Sequence, residues 1–171
     1  MKRAEIKGIA LGGTVAALSV VILLAGAVLG LGIYLAPMVA GMFLLPVGRS
    51  YGWKYHTMLW LVVSLLAFML VPEIEENLMY LCLFGCYPIL WPKLCGLPKG
   101  FRIVVKLLIF NGAFLLVELL VMWVLVPEAV EAGYLAVLLL LGNLMFLCYD
   151  RALPVAAFWM DRYLGRLFQT L

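Results

Sequence analysis

Long apolar segments alternate with short polar connections along the whole chain. The six apolar segments are about 8–26, 33–47, 53–71, 77–95, 102–126 and 134–150. A helix of about 20 apolar residues spans the hydrocarbon core of a bilayer, so the pattern predicts six transmembrane helices. Pro37 interrupts the short second segment, and prolines in the fourth predict a bend near Tyr87. Beyond Pro154, apolar and charged positions alternate as in an interfacial amphipathic helix or a continued end of the sixth span. We therefore expect an all-α integral membrane protein with one domain over residues 1–171.

The distribution of charge gives this bundle an orientation. The twelve basic residues lie near the N-terminus, in alternate connections or at the span ends beside those connections, and in the C-terminal segment: Lys2, Arg3, Lys7, Arg49, Lys54, Lys93, Lys99, Arg102, Lys106, Arg151, Arg162 and Arg166. The remaining connections lack Lys and Arg, and two are acidic, with Glu73, Glu75 and Glu76 in one and Glu128 and Glu131 in the other. Cytoplasmic loops retain Lys and Arg, so both termini are predicted to be cytoplasmic.

Composition excludes several classes of function. Hydrophobic residues make up 67% of the 171 residues, against about 45–50% in soluble domains. Six spans leave no room for a soluble catalytic or nucleotide-binding domain. The chain has no G-x-x-x-x-G-K-[ST], H-E-x-x-H or G-x-S-x-G motif. We therefore expect no enzyme activity, no cofactor or metal and no nucleic-acid partner.

A few polar residues fall inside the predicted spans. Glu118 is eight residues from the outer end of span five, at a depth of roughly 12 Å. Asn143 lies at a similar depth in span six, and Asn111 is two turns deeper on the face of Glu118. A carboxylate in the bilayer is costly and is a candidate functional residue. Glu118 could contact a ligand, or it could hydrogen-bond Asn143 and hold two helices together.

Aromatic residues gather near the outer ends of the spans, among them Tyr34, Tyr80 and Trp123. An aromatic belt at the headgroup level accounts for such residues without a ligand. Alternatively, they line an outward-facing pocket together with Glu118 and Asn143. Because the outer half has no Lys, Arg or His, this pocket would favour a neutral or cationic ligand over an anionic one.

Small residues recur every four positions in the first span. Gly8, Gly12 and Ala16 form one row, and Gly13 and Ala17 form a second. Such rows leave a flat surface on which another helix can pack closely. The surface could lie inside the protein or against a partner subunit.

Two apolar motifs carry a resemblance to a known family. The first runs from Leu-Ala-Pro at 35–37 to Pro-Val-Gly at 46–48, followed by Tyr51-Gly52; the second runs from Leu-Leu-Ala-Phe at 65–68 to Phe-Gly-Cys-Tyr-Pro at 84–88. With six short-looped spans and a small-residue row on span one, the chain resembles the substrate-binding S component of an energy-coupling factor (ECF) transporter.

The resemblance implies a multi-pass protein of a prokaryotic plasma membrane that captures a vitamin-like micronutrient from outside. A transmembrane coupling subunit and two cytoplasmic ATPase subunits would then drive its release inward. The coupling subunit would dock on Gly8, Gly12 and Ala16, or on Gly13 and Ala17. The alternative is a non-transporting scaffold similar to MreD-type cell-shape proteins. An enclosed outward pocket would favour the transporter, and a sealed, dry interior around Glu118 would favour the scaffold.

Overall fold

The computed structural model describes residues 3–30, 33–125 and 132–170, with side chains described over 8–30, 33–123 and 135–160 and at Arg162. All regular structure in these ranges is helical. The elements are α1 (Arg3–Leu29), α2 (Leu35–Phe43), α3 (Leu45–Tyr51), α4 (Trp53–Leu70), α5 (Ile74–Met79), a π-helical segment (Tyr80–Phe84), α6 (Tyr87–Cys95), α7 (Lys99–Leu125) and α8 (Ala132–Thr170).

Within the described residues, five helical segments are long and apolar enough to cross a membrane. They are Gly8–Leu29, Trp53–Leu70, Ile74–Cys95, Lys99–Trp123 and Leu135–Met160. The all-helical, multi-span prediction is confirmed at this level. The remaining predicted span, the second in chain order at 33–47, is instead divided into the short helices α2 and α3. The physical reason is Pro46, which has no N–H to donate to the carbonyl four residues earlier.

The α2–α3 segment lies in the middle of the bundle. It contacts α1, α4, α5, the π-helical segment, α6 and α8. Its buried side chains include Ala40, Leu44 and Val47, with exposures of 1% or less. A broken helix leaves backbone groups that lipid cannot satisfy, so protein must surround it. The position of this segment follows from its prolines.

The fourth predicted span is interrupted next to Tyr87, where the sequence predicts a bend. Pro88 cannot donate to the Phe84 carbonyl, and the Tyr149 hydroxyl from α8 donates to that oxygen at 2.9 Å. The Gly85 N–H bonds to the Tyr80 carbonyl, five residues back, at 2.8 Å. A Cβ on Gly41 of α2 would overlap the Phe84 oxygen. The backbone at this break in the helix therefore contacts α2 and α8, and only glycine fits at position 41 of α2.

The C-terminal helix matches one of the two alternatives for the segment beyond Pro154. α8 continues through Pro154, and its membrane-compatible part extends from Leu135 to Met160. The segment that follows Pro154 is therefore a continued end of the last span in place of a separate interfacial helix. Leu153 and Ala157 flank the proline and are buried in the core, so tertiary packing retains the helix despite one lost hydrogen bond.

Two apolar clusters fill the interior, and the outer faces of the helices are also apolar. One cluster includes side chains from α1, α2, α3 and α4. The other includes side chains from α2, the π-helical segment, α6, α7 and α8. Apolar side chains on the outer faces are widely exposed, including Met69 at 75%, Leu108 at 68% and Leu140 at 72%. Exposed apolar surface on this scale is typical of contact with lipid.

Candidate functional site

A cavity of about 410 Å³ opens at the acidic end of the bundle, which we define as the end carrying Glu73, Glu75 and Glu76. It lies where α1, α2 and α5 meet. Its lining residues are Gly26, Ala27, Gly30, Ile33, Tyr34, Glu73 and Glu76. Small residues at the end of α1 leave the space open. Gly30 adopts φ +62°, a backbone conformation that favours glycine.

Glu76 is the most deeply buried charged residue of this wall. Its exposure is 1%, and its Oε1 accepts no hydrogen bond from the residues that the structure describes. Gly26 allows this close approach, because a Cβ there would lie 2.9 Å from Glu76 Oε1. A buried carboxylate oxygen is costly unless it has a donor or a counter-charge. A lining residue of the cavity therefore carries a buried acceptor that has no donor among the described residues.

Glu118 reaches the cavity through Tyr34. The Tyr34 hydroxyl donates to Glu118 Oε1 at 3.2 Å, and Glu118 on α7 is 4% exposed. Glu75, half-buried beside this pair, interacts electrostatically with Glu118. Tyr34 lines the cavity and Glu118 does not. Glu118 thus holds an aromatic wall residue in place.

The two asparagines form a separate contact between α7 and α8. Asn111 Nδ2 donates to Asn143 Oδ1 at 3.0 Å, and Asn143 Nδ2 donates to Asn111 Oδ1 at 2.8 Å. Each amide also donates to the carbonyl one turn before it, of Leu107 and Leu139 respectively. All four amide protons are therefore used. The predicted convergence of Asn143 and Asn111 with Glu118 on one pocket is wrong, because the asparagines satisfy each other.

Two of the predicted aromatic residues do not contribute to the cavity. Trp123 is 82% exposed on the outside of α7, as in an aromatic belt. Tyr80 is fully buried, near Gly85 and Trp60, and does not line the cavity. The structure therefore places neither residue on the cavity wall, whereas Tyr34 lines it. The acidic residues Glu128 and Glu131 lie outside the described residues.

The small-residue surface of α1 is divided between two faces. A Cβ on Gly8 would lie 2.9 Å from the Tyr51 ring, and one on Gly12 would touch Leu59. Ala16 is 5% exposed. This row packs against α3 and α4, which matches the alternative in which it lies inside the protein. Gly13 and Ala17 are exposed, and no heavy atom lies within 4 Å of a Cβ at Gly13.

A buried polar network at the opposite, basic end escaped the sequence analysis. Lys106 Nζ lies 2.6 Å from Asp150 Oδ1, and the Tyr87 hydroxyl donates to the same oxygen at 2.6 Å. The network joins α6, α7 and α8. Lys106 is seven residues into its span, roughly 10 Å deep. A lysine at that depth requires a counter-charge, so its position in the sequence was the signal from which a buried ion pair could have been predicted. For Glu76, the sequence offered no comparable signal because it belongs to a connection predicted to be solvated.

The acidic end combines an open cavity with a buried carboxylate on one of its lining residues. Among the described residues, no three His, Cys, Asp or Glu side chains converge to hold a metal ion. Comparison of the chain with protein-family models, curated proteins and solved structures gives no match. The geometry of the cavity and the charges around it are therefore the basis for inferring a function.

Proposed function

We propose that this chain is the membrane-embedded substrate-capture subunit of an ECF-type importer. In this proposal α2–α3 completes six spans, both termini and the basic end face the cytoplasm, and the acidic end faces outside. The observation that carries the proposal is the 410 Å³ cavity with the unpaired Glu76 on its wall. Ligand pockets commonly have volumes of about 300–1,000 Å³, which suits a vitamin-sized micronutrient.

The cavity supports capture over the scaffold alternative. A scaffold needs packed, satisfied surfaces, whereas a lining residue of this cavity carries a carboxylate oxygen that the described residues leave without a donor. The burial of Glu118 on its own favours the scaffold, but its partner Tyr34 lines the cavity. A ligand in the cavity could therefore affect Glu118 in the core through the Tyr34 hydroxyl.

Energy for uptake would come from other proteins. The chain has no ATP-binding loop, so the proposal includes a transmembrane coupling subunit and two cytoplasmic ATPase subunits. The docking surface on this chain is the row of Gly13 and Ala17, because it is small and exposed on α1. Close helix approach in lipid depends on such surfaces.

Two measurements test the proposal. Native mass spectrometry of the purified chain should show a bound small molecule, and co-expressed coupling and ATPase subunits should co-purify with it. Changing Gly13 and Ala17 together to leucine should abolish co-purification while the bound molecule remains. Gly112→Leu on α7 is a matched control, since Gly112 is exposed with no heavy atom within 4 Å of a Cβ.

The expected result is loss of the complex only in the Gly13/Ala17 variant. Equal loss in the Gly112 variant would show a general effect of bulk on the surface. A wild-type chain that binds neither a small molecule nor the coupling subunit would refute capture and favour the scaffold.

A further inference from the structure

We infer that the cavity at the acidic end takes an organic cation whose ammonium group donates to Glu76. The inference rests on the proposed function and narrows its substrate class. It starts from the Oε1 atom of Glu76, which is buried on the cavity wall and receives no hydrogen bond from the described residues. An ammonium group supplies both the donor and the charge that this atom lacks.

The charge around the cavity is uncompensated by the chain itself. Segments 8–48, 57–92 and 107–150 contain no Lys, Arg or His. They include α2, α5 and nearly all of α1, which form the cavity. Glu73 lies on its rim, and Glu75 and Glu118 lie behind Tyr34. An anionic ligand would meet only like charges, which disfavour it by repulsion in a partly desolvated site. A cation would lower the electrostatic cost of every nearby carboxylate.

The lining distinguishes an organic cation from a bare metal ion. A metal ion needs several oxygen ligands around one point, and the described His, Cys, Asp and Glu side chains offer no such group of three. Ala27, Ile33 and the ring of Tyr34 contribute apolar and aromatic wall instead. The face of an aromatic ring attracts an ammonium group, and the aliphatic wall suits a carbon skeleton.

Three probes that share one carbon chain test the sign of the charge. Butylammonium chloride, 1-butanol and sodium butyrate carry a positive, neutral and negative head on similar skeletons. Each is added to the purified full chain in detergent micelles, with sodium chloride at equal concentration as the ionic control. Thermal unfolding and calorimetric titration report binding, since a ligand of the folded state raises Tm.

Only butylammonium should raise Tm, with an apparent affinity at least about tenfold above that of 1-butanol, because a charge-assisted hydrogen bond contributes on this scale. Glu76→Gln keeps the size of the side chain and removes its charge, so it should abolish the preference. Lys93→Met removes one charge from an exposed position at the opposite, basic end of the bundle, so it should retain the preference.

Equal binding of butylammonium and 1-butanol to the wild-type chain would overturn the inference, and this comparison needs no variant. So would an equal effect of sodium chloride, or a cation preference that survives in Glu76→Gln. A neutral or anionic molecule co-purifying with the chain would overturn the cation site and leave capture standing. A cation preference in a chain that binds no coupling partner would leave the cation site standing and overturn its role in an importer.

Discussion

Replacing Lys106 by methionine perturbs the buried network at the basic end without removing much volume. Asp150 then keeps the Tyr87 hydroxyl as a donor but loses its counter-charge. Lys106→Met should therefore destabilise the folded bundle strongly. Lys106→Met with Asp150→Asn should recover much of the loss, because the neutral amide still accepts from Tyr87.

The magnitude follows from the geometry. At 2.6 Å and an effective dielectric constant of about 20, the gross attraction is about 6 kcal/mol. The side chains are 8% and 19% exposed, so desolvation offsets a large part of this attraction. Leaving one buried charge without its partner costs about 3–5 kcal/mol. The free energy of unfolding should fall by that amount in the single variant, and the second substitution should restore about half of it or more.

The assay is equilibrium unfolding by SDS in mixed micelles, followed by far-ultraviolet circular dichroism. Lys93→Met is the matched control. Lys93 is exposed and lies 5.9 Å from the centre of the Trp53 ring, so its loss should cost less than about 1 kcal/mol. The reasoning fails if Lys106→Met costs no more than Lys93→Met. It also fails if the effects of Lys106→Met and Asp150→Asn simply add in the double variant.

Three further predictions concern other parts of the bundle. Gly41→Ala should lower the unfolding free energy by about 1–3 kcal/mol, because its Cβ would collide with a backbone oxygen; the same unfolding assay checks it. Asn111→Ala and Asn143→Ala should destabilise comparably, and the double variant should cost clearly less than their sum in a double-mutant cycle, because each single change orphans the other amide. Cysteines placed at the exposed positions Glu73 and Lys99, in a background without native cysteines, should react with an impermeant reagent from opposite sides of the membrane, as the charge pattern requires; same-side labelling would contradict the six-span proposal.

The existence of the long helices could be predicted from the sequence, and their internal structure could not. Apolar length alone identifies α1, α4, α7 and most of α8. Whether a proline ends a helix depends on packing. Pro46 separates α2 from α3, whereas Pro154 lies within a continuous α8 in which Leu153 and Ala157 are buried in the core. No local pattern distinguishes these two outcomes.

Depth in the bilayer identified polar residues but not their partners. Glu118, Asn111 and Asn143 were correctly singled out as polar groups inside predicted spans. Their pairing depends on the rotation of each helix, which places Glu118 against Tyr34 and joins the asparagines to each other. Glu76 was missed as a wall residue because its burial arises from the close approach of α1 at Gly26. Such an approach is a property of the assembled bundle.

The central position of α2–α3 has a consequence for how the chain is made. The segment is short, broken and surrounded by other helices. The segment follows α1, whereas α4, α5, α6 and α8, which also cover it, are synthesised after it. A lone span of this kind is poorly retained by lipid, because its unsatisfied carbonyls and amides meet hydrocarbon. We therefore expect its final placement to await α4 to α8, which makes membrane insertion of this protein a late, cooperative event instead of a strictly sequential one.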